Sequence, residues 1–277
     1  MTAVWLHEVE TPLLGRIAAA AEVFLFLDYD GTLAHIAPTP ADAVPLPGMV
    51  ELLHRMVATP RVQLAVVSGR PIAAVRRVLD VPGAYYVGVH GLEVQLPAGE
   101  LVPPEGTAVV RSVLPGIKRR LSAAVGDSPG ILLEDKGAAL ACHYRLASGA
   151  DATRAAGAVA DLVREYQRRG VPIELVCGHA VAEIRPSTVN KGKAVGALLA
   201  TYGRAALAVC IGDDRTDEDA FRLLPTDAIT IRVGTADEPT LARYRVATPD
   251  DVLRFLHAVL ARRSGDADRA GTVSHLP

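Results

Sequence analysis

In FLFLDYDGTL (24–33) a run of large apolar side chains ends in two aspartates one residue apart, with a glycine directly behind them. On an extended backbone, residues two apart face the same side, so Asp28 and Asp30 present a pair of carboxylates together. Such a pair can divide the work of group transfer: one acid stays ionised and attacks, while the other gives and takes a proton. Alone, either aspartate reads equally well as a turn residue, since Asp-x-Asp-Gly is a loop-forming string. Two further apolar runs end in chemistry of their own. VQLAVV leads into Ser68, and ALAVCIG leads into Asp213, Asp214 and, slightly later, Asp217. Lys191 opens a helix behind Asn190, which suits an N-cap. Carboxylates gathered in this number repel one another and resist ionisation without a cation. A hard divalent ion such as Mg²⁺, held by carboxylates, waters and a substrate phosphate, resolves the conflict. Lys191, the Ser68 hydroxyl and the helix N-terminus behind Arg70 and Pro71 suit an anion. The combination indicates phosphoryl chemistry.

The elements that must position these groups are legible around them. Residues 22–90 alternate between strands (EVFLFLD, VQLAVVS, AYYVGVH) and helices (MVELLHRMVA and PIAAVRRVLD, with Pro71 in its first turn). Continuous apolar strands between helices indicate a parallel sheet covered on both faces, whose ligands bind beyond the carboxyl ends of the strands. After about residue 104 the pattern changes. A helix over 108–125, with Pro115 and Gly116 as a candidate kink, precedes ILLEDKGAALACHYR, which reads as two strands. Leu140, Cys142 and Tyr144 would face one side and Ala141, His143 and Arg145 the other. Residues 155–169 form an amphipathic helix stopped by Gly170, and VPIELVCGHAVAEIRP a hairpin turning at Gly178 and His179. From residue 190 the alternation resumes, with KGKAVGALLATYG, ALAVCIG, TDEDAFRLL, AITIRVG, YRVAT and PDDVLRFLHAVLARR. The expected fold is therefore α/β: a Rossmann-like parallel-sheet core, residues 1–105 and 188–264, with an α+β cap inserted at 106–187. The polar residues 265–277 read as a disordered tail.

Composition removes several classes of function. Half of the 277 residues are hydrophobic and 22% charged, as in a packed globular chain, and the net charge of −2 offers no footprint for nucleic acid. The N-terminus, MTAVWLHEVE, carries acids where a signal peptide has bases. The longest nearly apolar run, 17–27, contains Glu22 and is too short to span a bilayer. Cys142, Cys177 and Cys210 form no CxxC pair, and each sits in an apolar run, so all three are expected as buried thiols. A reduced, cytoplasmic, monomeric protein without membrane or nucleic-acid partners is expected. The GxxxxGK[ST] and HExxH motifs are absent.

DxDGT, VVSGR, a later KG at a helix start and GDDRTDE together resemble the haloacid dehalogenase-type phosphatases. The resemblance implies that Asp28 attacks phosphorus to form an aspartyl-phosphate, and that Asp30 protonates the leaving alcohol and later deprotonates water. Ser68 would donate to a phosphoryl oxygen, with helix capping as a compatible second role. Lys191 would balance charge, with Lys193 as its rival. Asp213 would join Asp28 and the Asp30 main-chain carbonyl as the third protein ligand of Mg²⁺, supported by Asp217. Asp214 would approach the metal or cap the next helix. Arg70 would contact substrate or form a surface ion pair, and His90 would contact ligand or the backbone of its own turn. The αββαββ insert, with LLEDKGAALACHYR, VHGLEV, EIRPSTVNKG and GDDRTDEDAF, narrows the resemblance to the trehalose-6-phosphate phosphatase family over residues 22–235. That family implies Glu134, Lys136 and Glu183 as partners of sugar hydroxyls, with His143 and Arg145 on the same sheet, and a cap that closes to exclude water. Read from the residues alone, these are solvent-facing charges. The expected activity is Mg²⁺-dependent hydrolysis of a small sugar phosphate, trehalose 6-phosphate. Its rivals are a sucrose-phosphate or mannosyl-phosphate phosphatase, a phosphomutase, and a non-catalytic sugar-phosphate sensor, against which the intact acid pair argues. Any synthase partner would be a separate protein.

Overall fold

The computed structural model of the chain describes residues 3–37, 42–104, 107–178, 180–235 and 239–271. They divide into two compact units, Met1–Val102 with Asn190–Pro277, and Pro103–Val189. The first unit opens with β1 (Val4–Trp5), α1 (Leu6–Ala19), β2 (Val23–Asp28), α2 (Met49–Val57), β3 (Val62–Val67), α3 (Ile72–Val78), β4 (Tyr85–Gly88) and β5 (Glu93–Gln95). The second unit consists of α4 (Thr107–Val125), β6 (Leu132–Asp135), β7 (Leu140–His143), α5 (Gly149–Arg168), β8 (Ile173–Gly178) and β9 (Val181–Pro186). The first unit resumes with α6 (Lys191–Tyr202), β10 (Leu207–Gly212), α7 (Asp217–Leu223), β11 (Ile229–Val233), β12 (Tyr244–Val246) and α8 (Pro249–Gly271).

The large sheet runs β1-β12-β11-β10-β2-β3-β4-β5, with every pair parallel except β4 and β5. Its central strand explains why VFLFLD is apolar throughout. Leu25 and Leu27 pack into one core with α1, α2 and α8, while Phe24 and Phe26 pack into a second core with α6 and α7. A strand buried on both faces has no polar side to show. The chain proceeds from β2 outward through β3 and β4 on one side, and later through β10, β11 and β12 on the other. The order therefore reverses between β2 and β10, and at such a reversal the loops part and leave a crevice beyond the strand ends.

In the second unit the sheet order is β6-β7-β9-β8, all antiparallel. Leu140, Cys142, Ala182 and Ile184 pack against α4 and α5, including Val159, Leu162, Val163 and Tyr166 at the expected helical spacing. The opposite face carries Glu134, Ala141 and Glu183 in one register row.

Several local expectations need correction. The first 21 residues have no clear pattern, and TPLLG carries both Pro12 and Gly15, yet α1 forms because Leu6, Leu13, Leu14 and Ile17 are buried against the core. Buried Arg263 donates to the carbonyls of Ile17, Ala18 and Ala20 where that helix ends. AYYVGVH leaves the sheet after Gly88, and Val89–Gly91 is a 3-10 turn with Val89 and His90 at positive φ. α5 begins at Gly149, well before residue 155, because the Ser148 side chain accepts from the Asp151 amide. α4 continues as one helix through Pro115. Gly178 pairs with Val181 and so belongs to the ladder, not to the turn. Ala180 has positive φ there, and His179 lies outside the described residues. Cys177 is exposed, unlike Cys142 and Cys210. α8 extends to Gly271, into the stretch whose composition reads as disordered, and residues 272–277 lie outside the description. No helix among the described residues is long and apolar enough to cross a membrane.

The start of α8 yields a pH-dependent prediction. Thr248 and Asp251 cap reciprocally: the Asp251 amide donates to Thr248 Oγ1, and Asp251 Oδ2 accepts from the Thr248 and Ala247 amides. Burial alone would raise the Asp251 carboxyl, but the Thr248 hydrogen bonds and Arg254 outweigh it and hold it below the ordinary range. A depressed folded-state value contributes stability above the unfolded value, and that contribution fades as pH falls through the folded one. Asp251→Ala is therefore expected to lose about 1 kcal/mol at neutral pH. In urea titrations the difference from the unmodified chain should shrink on acidification below about pH 4.

Candidate active site

The crevice at the strand-order reversal is built from five segments that the sequence separates widely. Asp28 is the last residue of β2, so its side chain leaves the sheet at the rim while its backbone remains in the β3 ladder. Behind it the chain turns sharply, the Tyr29 carbonyl accepting from the Thr32, Leu33 and Ala34 amides. Gly31 sits at φ 76° in that turn, and a Cβ there would overlap the Asp213 carboxylate. Glycine thus serves the backbone conformation and the approach of the second acidic loop together.

Lys191 lies at the first turn of α6, where Asn190 caps the helix by accepting from the Lys193 amide. Only 2% exposed, its ammonium donates to Asp28 Oδ1 at 2.7 Å and to Asp217 Oδ1 at 2.9 Å. Lys193 is exposed, so Lys191 is the lysine in the site. Carboxylate oxygens of Asp28, Asp213 and Asp217 lie within 4.8 Å of one another. Asp217 thereby joins the inner acidic group instead of standing behind it. Asp214 takes the capping role: its Oδ1 accepts from the Thr216 amide and hydroxyl and from the Asp217 amide.

Charge in this group is out of balance. Burial raises the Asp28 carboxyl to about 8, with Lys191 drawing it down and Asp213 and Asp214 pushing it up. Burial, then Asp217 and Asp214, raises Asp213 to about 6, and burial with Asp28 lifts Asp217 well above its ordinary value. Asp214 behaves oppositely: burial would raise it, but Lys191 and the Thr216 hydrogen bonds bring it to about 2. Burial would lower Lys191, but Asp28, Asp217 and Asp214 hold it well above its ordinary value, so it stays charged. One ammonium does not neutralise this many buried carboxylates. The donors are all hard oxygens, so the cluster suits a divalent cation.

Asp30 is more exposed than Asp28 and is held by Arg70, whose Nε donates to Asp30 Oδ2 at 2.7 Å and whose Nη2 donates to Oδ1. The guanidinium also lies over the Tyr29 ring, 4.9 Å from its centroid. Arg70 is consequently an ion-pair partner of the second aspartate and is largely buried, not a surface charge. Ser68 is buried at the end of β3, and its Oγ accepts from the Arg70 amide. It does not cap α3, whose first amide, Ile72 N–H, donates to Glu93 Oε2 at 2.7 Å. The helix end expected to receive an anion is thus already occupied by a carboxylate of the chain. The Val89–Gly91 turn presses the His90 ring onto Gly69, where a Cβ would sit 2.6 Å from His90 Cε1. Asp28, Asp30, Gly69, Arg70, His90, Lys191, Asp213 and Asp214 line one cleft of about 400 Å³, together with Ile36 and Ala37.

The inserted unit holds a second polar group on the helix-free face of its sheet. Lys136 Nζ donates to Glu183 Oε2 at 2.7 Å, and His143 Nε2 lies 2.9 Å from Glu134 Oε2. Arg145 does not belong with them. β7 ends at His143, and Arg145 lies in the following turn, exposed, so strand alternation cannot place it on the sheet.

Sequence reading missed Glu93, Ile36 and, behind the acidic loop, Arg232 and Glu218. Glu93 and Glu218 sat inside the strings VHGLEV and GDDRTDE, and Arg232 was visible as one basic residue in the apolar strand AITIRVG.

Comparison with known proteins places this geometry in context. A family model described as trehalose-phosphatase matches residues 26–250. A trehalose-phosphate phosphatase of Mycobacterium bovis is 33% identical over 261 residues, 91% of this chain and 65% of the relative. The chain thus spans just under two thirds of that relative's length. A trehalose 6-phosphate phosphatase of Zea mays is 34% identical over 92% of this chain and 73% of its own. Among solved structures, an Aspergillus fumigatus trehalose-6-phosphate phosphatase superposes with a TM-score of 0.74 at 26% identity, covering 94% of this chain and 99% of that one. The α/β core with its inserted α+β unit is thus a fold shared with solved phosphatases.

Proposed function

The chain belongs to the trehalose-phosphatase family, and from that premise we propose that it hydrolyses trehalose 6-phosphate to trehalose and inorganic phosphate. The observation that carries the reading is the buried Lys191 ammonium bridging Asp28 and Asp217 at a rim that Asp213 also reaches. Asp28, Asp213 and Asp217 would hold Mg²⁺, which when bound neutralises phosphate and carboxylate charge and favours the ionised form of Asp28. An Asp28 oxygen attacks phosphorus, and the bond from phosphorus to the sugar oxygen breaks as the aspartyl-phosphate forms. Asp30 donates its proton to the departing sugar oxygen. Water then attacks phosphorus, Asp30 takes the water's proton, and phosphate leaves with Asp28 restored. Lys191 stays bound to Asp28, fixing its rotamer and offsetting charge as phosphate arrives. The Ser68 hydroxyl supplies a hydrogen bond to phosphate, and Arg70 orients Asp30 between its two proton transfers. Glu134, Lys136 and Glu183, with His143, bind sugar hydroxyls, for which paired carboxylate and ammonium groups are suited.

The test is phosphate release from a panel of sugar phosphates, with Mg²⁺ and with excess chelator. Trehalose 6-phosphate is expected to turn over fastest, and chelation to abolish the activity. Rapid turnover of sucrose phosphate or a mannosyl phosphate with none of trehalose 6-phosphate would overturn the substrate. Unchanged activity in chelator would overturn the metal.

A further inference from the structure

The loop from Asp213 to Asp217 delivers two of the three clustered carboxylates, and two residues outside that cluster hold it from behind. Arg232, in β11 next to β10, is 8% exposed. Its Nη1 donates to the Asp214 carbonyl oxygen at 2.7 Å, and the same nitrogen lies 3.6 Å from Glu218 Oε1. Glu218 follows Asp217 directly in α7, and it is anchored on its other side as well. Its Oε1 accepts from Thr240 Oγ1 and its Oε2 from the Leu241 amide, both at 2.7 Å. The Asp214 carbonyl receives the Asp217 amide too, so the plane of this one peptide is tied to Arg232 and to the first turn of α7 together.

We propose that Arg232 and Glu218 form a brace that sets the cation affinity of the Asp28, Asp213 and Asp217 cluster by fixing the acidic loop; both are positioning residues. The inference rests on the reading of that cluster as a Mg²⁺ site. The physical reason lies in the electrostatics of the loop. Asp213, Asp214 and Asp217 repel one another across a few residues, and without a restraint the loop relaxes by turning carboxylates outward to water. A buried guanidinium bound to a main-chain carbonyl opposes that movement without taking its hydrogen bond from a cluster carboxylate. Arginine suits the position because its planar guanidinium stays charged when buried and presents Nη1 to the carbonyl in a fixed direction, whereas lysine offers a flexible point charge. Close approach on either side of the loop leaves little slack: a Cβ at Gly212, at the end of β10, would overlap the Asp217 carboxylate, and one at Gly192, in α6, would overlap the Asp219 carbonyl of α7.

Isothermal titration of the substrate-free chain with Mg²⁺ alone tests this, with thermal unfolding measured beside it. Arg232→Gln is expected to weaken Mg²⁺ binding about tenfold or more, as loss of a ligand-orienting contact does. Arg232→Lys should weaken it less, and Glu218→Gln should weaken it while keeping one carbonyl oxygen as an acceptor for Thr240 or Leu241. If these variants melt earlier but bind Mg²⁺ as tightly as the unmodified chain, the residues only stabilise the fold and the brace is wrong. Should Arg232→Gln fail to fold, Arg232→Lys and Glu218→Gln decide the matter on the same criterion. Asp213→Asn separates the two layers. If it abolishes binding while the Arg232 and Glu218 variants leave binding unchanged, only the brace fails. If the unmodified chain binds no Mg²⁺, the metal site itself fails and the brace with it.

Discussion

Asp28→Asn is expected to lower phosphate release by at least about 10⁴-fold, the scale on which removal of an attacking or proton-relaying group acts in other hydrolases. The substitution preserves shape and removes only the anionic oxygen, and a neutral amide does not attack phosphorus at a useful rate. Its effect on folding should be small or favourable. Asp28 is buried at the end of the central strand, where burial, Asp213 and Asp214 all oppose its charge, and in the variant the Lys191 ammonium keeps Asp217 as its carboxylate partner, so no buried charge is left unpaired. Activity and stability should therefore separate: turnover disappears while the thermal midpoint is maintained or rises. Near-normal turnover with a normal midpoint would remove Asp28 from the role of nucleophile.

Lys191→Met is the second large effect, and it should reach both properties. The ammonium is 2% exposed and binds two carboxylates, Asp28 and Asp217, at hydrogen-bond distance. Methionine fills similar volume but leaves those acids buried without a partner, which costs about 3–5 kcal/mol when one side of a buried pair is removed. Part of that cost should return when Mg²⁺ is added, because a cation held by the same acids replaces the missing charge. Turnover should fall by about 10²–10³-fold, the range seen when a single donor is taken from a developing oxyanion. Lys193→Met, at an exposed position in the same helical turn, serves as the comparison and should change stability by no more than about 0.5 kcal/mol. Urea unfolding with and without Mg²⁺, together with phosphate release, reads all of these. Equal behaviour of the two lysine variants would contradict the bridge.

How far these features could be read from sequence depends on whether local pattern or tertiary contact decides them. β2 was legible because a strand buried on both faces is apolar at every position, and the acids at its end stood out against that run. Asp28, Asp213, Asp217 and Lys191 follow from the same rule, since each lies just beyond a strand or at a helix start on the strand-end side. α1 was not legible: Pro12 and Gly15 spoil its pattern, and burial of Leu6, Leu13, Leu14 and Ile17 with the Arg263 clamp outweighs them. Val89 is β-branched and reads as strand, yet it adopts positive φ, a conformation imposed by packing that no propensity predicts. Extrapolating the alternation of β7 past His143 misplaced Arg145, because a strand's end is set by its partners and not by its own sequence. Arg70 showed its charge but not its destination. The pairing with Asp30 needs a contact between residues forty positions apart.

The most direct test of the central claim is to quench the chain with borohydride while it turns over trehalose 6-phosphate and Mg²⁺. Peptide mass analysis would then locate any reduced aspartyl-phosphate. The account predicts reduction to homoserine at position 28, dependent on both substrate and metal. Trehalose 6-phosphate hydrolysed at full rate with no modification at Asp28, or with the modification on another carboxylate, would contradict it.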